Sequence, residues 1–171
     1  MEKTITLLGF LFFLSQWVSA QEPSKSLYIG VGTGVDLPAS GWDPNYYVGG
    51  GAHFFLGDPL DPLWSVQLDV QDWAFLGGDK AQYHFRFIPE VKATFEGNGW
   101  QPYALAGAGL SLRTFYYQGN SAANLDLPAG FGAQMDLGAD SHLFVQAALN
   151  TLPADPTVME VPLTAGLWVG L

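Results

Sequence analysis

The sequence predicts an all-β protein, an eight-stranded antiparallel up-and-down transmembrane β-barrel behind a cleaved leader, and three observations carry that prediction. Only 13% of the 171 residues are charged, about half the share usual in a soluble domain. Eight segments alternate apolar and polar residues with period two, and no charged residue falls on their apolar side. The first twenty residues read as an export signal.

The leader comes first. Glu2 and Lys3 precede an apolar run from Ile5 to Leu14, and Val18-Ser19-Ala20 supplies a small-x-small cleavage site. A helix needs about 20 apolar residues to cross a bilayer, and this run is shorter. Residues 1–20 are therefore expected to be a signal peptide and residues 21–171 the barrel. Nothing beyond residue 20 is long and apolar enough for a spanning helix, so any crossing must be made by strands.

Segment one sets Leu27, Ile29, Val31, Thr33, Val35 and Leu37 against Tyr28, Gly30, Gly32, Gly34 and Asp36. In segment two Tyr46, Val48, Ala52, Phe54 and Leu56 oppose Tyr47, Gly49, Gly51, His53 and Phe55. Trp64, Val66, Leu68 and Val70 oppose Ser65, Gln67, Asp69 and Gln71 in segment three. Segment four is the clearest, with Tyr83, Phe85, Phe87, Val91, Ala93 and Phe95 against Gln82, His84, Arg86, Glu90, Lys92, Thr94 and Glu96. Segments five to eight follow the same rule over 103–113, 126–137, 143–150 and 160–171. A soluble lipocalin-like barrel would be apolar inside and polar outside. A two-sheet sandwich would also bury one face and wet the other. The length of the segments, the charge-free apolar face and the leader favour the membrane barrel.

Turn chemistry agrees with this order. Asp58-Pro59-Leu60-Asp61-Pro62, Gly97-Asn98-Gly99 and Gly138-Ala139-Asp140 are tight-turn sequences after segments two, four and six. The other four connections, around 38–45, 77–80, 119–123 and 153–156, make modest outer loops. In this register Trp42, Tyr46, Trp73, Tyr83 and Tyr116 form one aromatic girdle, and Phe54, Trp64, Phe95 and Trp100 the other. Asp72 interrupts the apolar face after segment three, which suggests a β-bulge or the end of the lipid zone. Pro128 and Pro162 fall inward and Pro89 outward; each removes a ladder donor and marks a bulge or a lateral weak point.

Composition excludes several functions. With no Cys there is no disulfide framework or thiolate site. Sixteen acids against six cations, a net charge of −10, argue against nucleic-acid binding. Three scattered His lack metal-ligand spacing, and the Gly-x-Gly runs sit on strands rather than at helix starts. Catalysis would need a His beside a Ser and a carboxylate, and no Ser falls close to His84 in this register. No catalytic residue, cofactor or metal is expected.

The interior is where charge collects. An eight-stranded barrel is just wide enough for its side chains to fill, and inward charges there must be paired. Asp69, Arg86, Glu90, Lys92, Arg113, Asp126 and Glu160 are the candidate interior network, with Glu96 and Asp136 also inward. A closed network across Arg86, Glu90, Lys92 and Glu160 would make a structural plug. An unbroken polar path along Gln67, Arg86, Arg113, Gln134 and Gln146 would make a selective channel.

Ile88-Pro89-Glu90-Val91 within a strand, Gln101-Pro102-Tyr103 followed by Ala106-Gly107-Ala108-Gly109, and the alternating last strand give a chain that resembles the small OmpA-type outer-membrane barrels over residues 21–171. Members of that family usually end in Phe where this chain has Leu171. The resemblance implies a Gram-negative outer membrane, contact with outer-membrane lipid and lipopolysaccharide, and delivery by the outer-membrane assembly machinery. Members of that family differ widely in function; the expected role, non-enzymatic and structural or surface-interacting with a filled lumen, rests instead on the narrow eight-stranded interior and the missing catalytic pattern. Other barrels of this kind are narrow channels for small or hydrophobic solutes or lipid-modifying enzymes, but the His-x-Ser signature of the lipid A deacylase barrels is absent. No surface ligand is implied.

Overall fold

Strands form wherever the period-two pattern runs. In the computed structural model they are β1 (Tyr28–Ser40), β2 (Val48–Pro59), β3 (Trp64–Gly77), β4 (Lys80–Thr94), β5 (Trp100–Gly107), β6 (Gly109–Phe115), β7 (Asn120–Gly138), β8 (Ser141–Leu152) and β9 (Val158–Gly170). The structure describes residues 27–41, 48–77, 80–115, 120–138, 140–153 and 156–171. The expected leader and the expected girdle residues Trp42, Tyr46 and Tyr116 lie outside the described residues. All pairings are antiparallel; β5 and β6 both lie between β4 and β7, the other strands pair with their chain neighbours, and β9 returns to β1 to close the ring.

The ring has eight staves, because β5 and β6 are one strand interrupted at Ala108. Register is continuous across the gap: Glu90 pairs Gly107 below it and Phe87 pairs Leu110 above it. The residue opposite Ala108 is Pro89, which has no N–H to give to the ladder, although Ala108 N still donates to Pro89 O at 3.2 Å. On the other side Pro128 falls in the gap between the pairs Ala106–Ala129 and Gly109–Asp126. Pro162 falls in the matching gap of the β8–β9 ladder, between Ala147–Leu163 and Asn150–Glu160. None of these three prolines creates a bulge. The register shifts occur instead near strand ends, at Pro38/Ser40 and Asp136/Gly138.

Following paired residues once around the ring measures its stagger. Thr94 leads through Tyr103, Gly132, Gln146, Thr164, Gly34, Gly51 and Trp73 back to His84, ten residues along the same strand. That stagger tilts the strands and sets which inward residues share a level.

The faces divide as the sequence predicts. Outward stand Val31, Leu76, Phe87, Leu110 and Phe131, the last 70% exposed. An apolar surface this continuous around the whole wall is untenable in water and demands hydrocarbon. Trp64, Phe95 and Trp100 are outward and exposed at the turn end, and Tyr83 is outward near the loop end. Phe54 sits higher than the girdle reading had it, paired with Val70 at mid-strand.

Two expectations near the loop end of β3 need correction. β3 continues to Gly77 with unbroken alternation, so Trp73 points inward and is fully buried rather than forming part of the girdle. Asp72 is neither a bulge nor the end of the apolar zone. It pairs with Ala52 and Phe85 in regular register and points outward, while Leu76 beyond it is 66% exposed. A carboxylate therefore stands within the apolar band, which disfavours the folded barrel. Asp72→Leu is expected to raise the unfolding free energy in lipid vesicles by about 1–2 kcal/mol. A loss of stability would instead mean that this carboxylate has a bonding partner in the membrane.

Candidate functional site: the filled lumen

The inward residues stack in levels from the turn end to the loop end. At the turn end Lys92 stands among the rings of Tyr103, Trp168 and Tyr28, with its Nζ 4.7, 5.5 and 5.6 Å from their centroids. It donates to Gln134 Oε1 at 2.9 Å. One level up, Gln67 Nε2 donates to Glu90 Oε2 at 2.7 Å, and Gln67 Oε1 accepts from the Tyr28 hydroxyl at 3.1 Å. Phe55 and Phe144 pack edge-on against each other with centroids 5.4 Å apart. Large rings fit here because glycines face them: a Cβ on Gly30 would lie 2.1 Å from the Phe55 ring, and one on Gly32 2.1 Å from the His53 imidazole.

At mid-height His53 Nδ1 meets Asp69 at 3.2 Å, and Gln71 Nε2 donates to the same carboxylate at 2.8 Å. Gln71 Oε1 accepts from Trp73 Nε1 at 2.9 Å and from Arg86 at 3.1 Å, which joins the middle level to the next. That upper level centres on Arg86. Its guanidinium bonds Asp36 at 3.0 Å, Asp126 at 3.3 Å and Glu160. Glu160 also meets His84 Nδ1 at 3.1 Å, and Asn150 Nδ2 reaches Asp126 at 3.5 Å. The three acids come from β1, β7 and β9, and none of those strands is a ladder neighbour of β4. The contacts therefore cross the lumen. Arg86, His84, Asp36, Asp126 and Glu160 all have no solvent exposure, and buried charge at this density is tolerable only when paired.

The structure thus brings together Arg86, Asp126 and Glu160 from the sequence candidates. It leaves Asp69, Glu90 and Lys92 on separate lower levels. Glu90 and Lys92 form no ion pair within 4 Å of any described residue, and neither does Arg113, half-buried above Arg86. Asp36, His53 and His84 are the members that sequence reasoning left out. Their inward face was legible, but their level was not. Ser111, also fully buried, pairs across the ladder with Arg86. Ser111 Oγ makes no hydrogen bond to the His84–Glu160 pair among the described residues. Apolar side chains complete the filling: Ile88, Trp73, Phe75 and Leu152 are inward and fully buried.

These features define a transmembrane barrel whose lumen is packed with side chains and cross-braced by ion pairs. Its fold is that of the small eight-stranded outer-membrane β-barrels. No family sequence profile and no curated protein sequence matches the chain. Among solved structures it is similar to Neisserial surface protein A, with a TM-score of 0.70 at 12% identity over 85% of this chain and 97% of that one. The N-terminal β-barrel domain of Pseudomonas aeruginosa OprF gives a TM-score of 0.53 at 13% identity, covering 85% and 99% of the two chains. The outer membrane enzyme PagL gives 0.52 at 16% identity, covering 83% and 99%. At these identities the likeness is one of fold, and fold alone does not assign function.

Proposed function

We propose that the protein is a non-enzymatic integral outer-membrane barrel with a structural or surface-interaction role. Its wall contacts outer-membrane lipid and lipopolysaccharide, it reaches the membrane through the outer-membrane assembly machinery, and its lumen is a plug rather than a pathway. The observation that carries this reading is Arg86, sealed from solvent and bonded to Asp36, Asp126 and Glu160 across the lumen. An ion entering from either end would have to displace a guanidinium held by three carboxylates, at a cost of several kcal/mol. A polar path from Gln67 to Arg113 is thereby interrupted. The His84–Glu160 pair and Ser111 have no exposure, so a lipid substrate would have no route to them, which supports a non-enzymatic role.

Conductance tests the reading. The refolded barrel in a planar bilayer is expected to give no unitary steps. Stable steps that change size in Arg86→Ala would move a narrow channel to first place. Turnover of labelled lipid A that disappears in His84→Ala would establish an enzyme instead.

A further inference from the structure

At the opposite end from the Arg86 cluster, between the tight turns, the lumen opens into a cavity of about 290 Å³. Lys92 lines it, with Tyr28, Trp168, Gln101 and Gln134 around it and Asp61 and Asp140 at its mouth. Lys92 is only 6% exposed, yet among the described residues no carboxylate lies within 4 Å of its Nζ. Among the described residues its hydrogen bond goes to Gln134 Oε1, and the Nε2 of that amide is already committed to Gln101 Oε1 at 3.0 Å. Ring faces stabilise the charge of an ammonium but do not accept its remaining N–H bonds well. The indole N–H of Trp168, shielded from solvent, has no acceptor among the described residues either. The cavity is thus rich in donors and short of acceptors, the reverse of the Arg86 level, where three carboxylates share one guanidinium.

The acids at the mouth do not supply what is missing. Asp61 Oδ1 accepts the backbone N–H groups of Leu63 and Trp64, each at 2.8 Å, and so is tied into its own turn. Asp136, outside the cavity lining, is held by His142 Nδ1 at 2.6 Å, and the His142 ring stacks on Trp168 with centroids 3.6 Å apart and planes 9° apart. Asp140 is exposed at the rim. These acids would repel a multiply charged anion but admit a single negative charge that buries itself on Lys92 between aromatic walls.

We propose that this cavity is a binding site for a small organic carboxylate, its anionic group on Lys92 Nζ and its body against Tyr28 and Trp168. A free acid or the carboxyl end of a peptide would present the same group.

The refolded full-length mature barrel, in detergent micelles free of phosphate and carboxylate, tests this by calorimetric titration with benzoate, and with benzamide as its neutral counterpart. Benzoate is expected to bind one-to-one and saturably, while benzamide gives no saturable heat. Lys92→Met should weaken benzoate by about tenfold or more, and Trp168→Phe, which keeps a ring and removes the indole N–H, by several-fold. A carboxyl-terminal tripeptide binding as well as its amidated form fails would assign the site to peptide ends, whereas benzoate binding alone would assign it to free acids. No saturable benzoate binding, equal binding of benzamide, or unchanged affinity in both variants would overturn the proposal. Should Lys92→Met not fold, the benzoate–benzamide contrast and Trp168→Phe still decide it.

Discussion

Arg86→Met is expected to lower the unfolding free energy of the barrel by about 3–5 kcal/mol, read by guanidinium titration in lipid vesicles. Methionine fills much of the same volume, so the loss reports charge rather than a cavity. It would leave Asp36, Asp126 and Glu160 facing one another without exposure, and three buried acids with no cation are far costlier than the intact cluster. Adding Glu160→Gln to Arg86→Met should return part of the loss, because it removes one of the stranded charges. Arg113→Met is the internal control: half-buried and without an ion pair among the described residues, it should cost about 1 kcal/mol or less. If Arg86→Met were no worse than Arg113→Met, the upper cluster would not be what holds the lumen closed.

The second large effect belongs to the outer wall. Val70 lies at the middle of β3, facing outward between Phe54 on β2 and Phe87 on β4. Val70→Arg should cost about 2–4 kcal/mol in vesicles, the penalty for a cation at the bilayer midplane. The same substitution at Trp100, outward at the turn end, should cost about 1 kcal/mol or less beyond the lost ring, since the guanidinium there reaches the interface. Equal effects at both heights would mean that the outward face does not meet a hydrocarbon layer of graded polarity.

Much of this architecture was legible beforehand, and the reason is geometric. Successive side chains of a strand point to opposite sides, so each residue's face follows from counting. Tyr28, Gly30 and Gly32 had to be inward once Ile29 and Val31 were outward. Counting fails only where a chemical signal suggests the end of a strand that in fact continues. Asp72, being charged, suggests a bulge or the end of the lipid zone, and Trp73 beside it then reads as a girdle residue. The backbone ladder, anchored by Ala52 on one side and Phe85 on the other, carried the alternation straight through. Pro89, Pro128 and Pro162, candidates for a bulge or a weak point within their strands, interrupt the ladder without shifting its register.

The candidate site was only half readable. That Arg86, Asp126 and Glu160 share an interior follows from the sequence alone. That Arg86 meets Asp36 across the lumen while Lys92, six residues along the same strand, meets rings and an amide does not. By itself the sequence determined which residues face lipid and which face inward, since that depends on a period of two within each strand. Only the closed ring decided which inward residues meet, because levels are set by the stagger accumulated over every pairing around the barrel, ten residues from Thr94 to His84, and no single strand carries that sum.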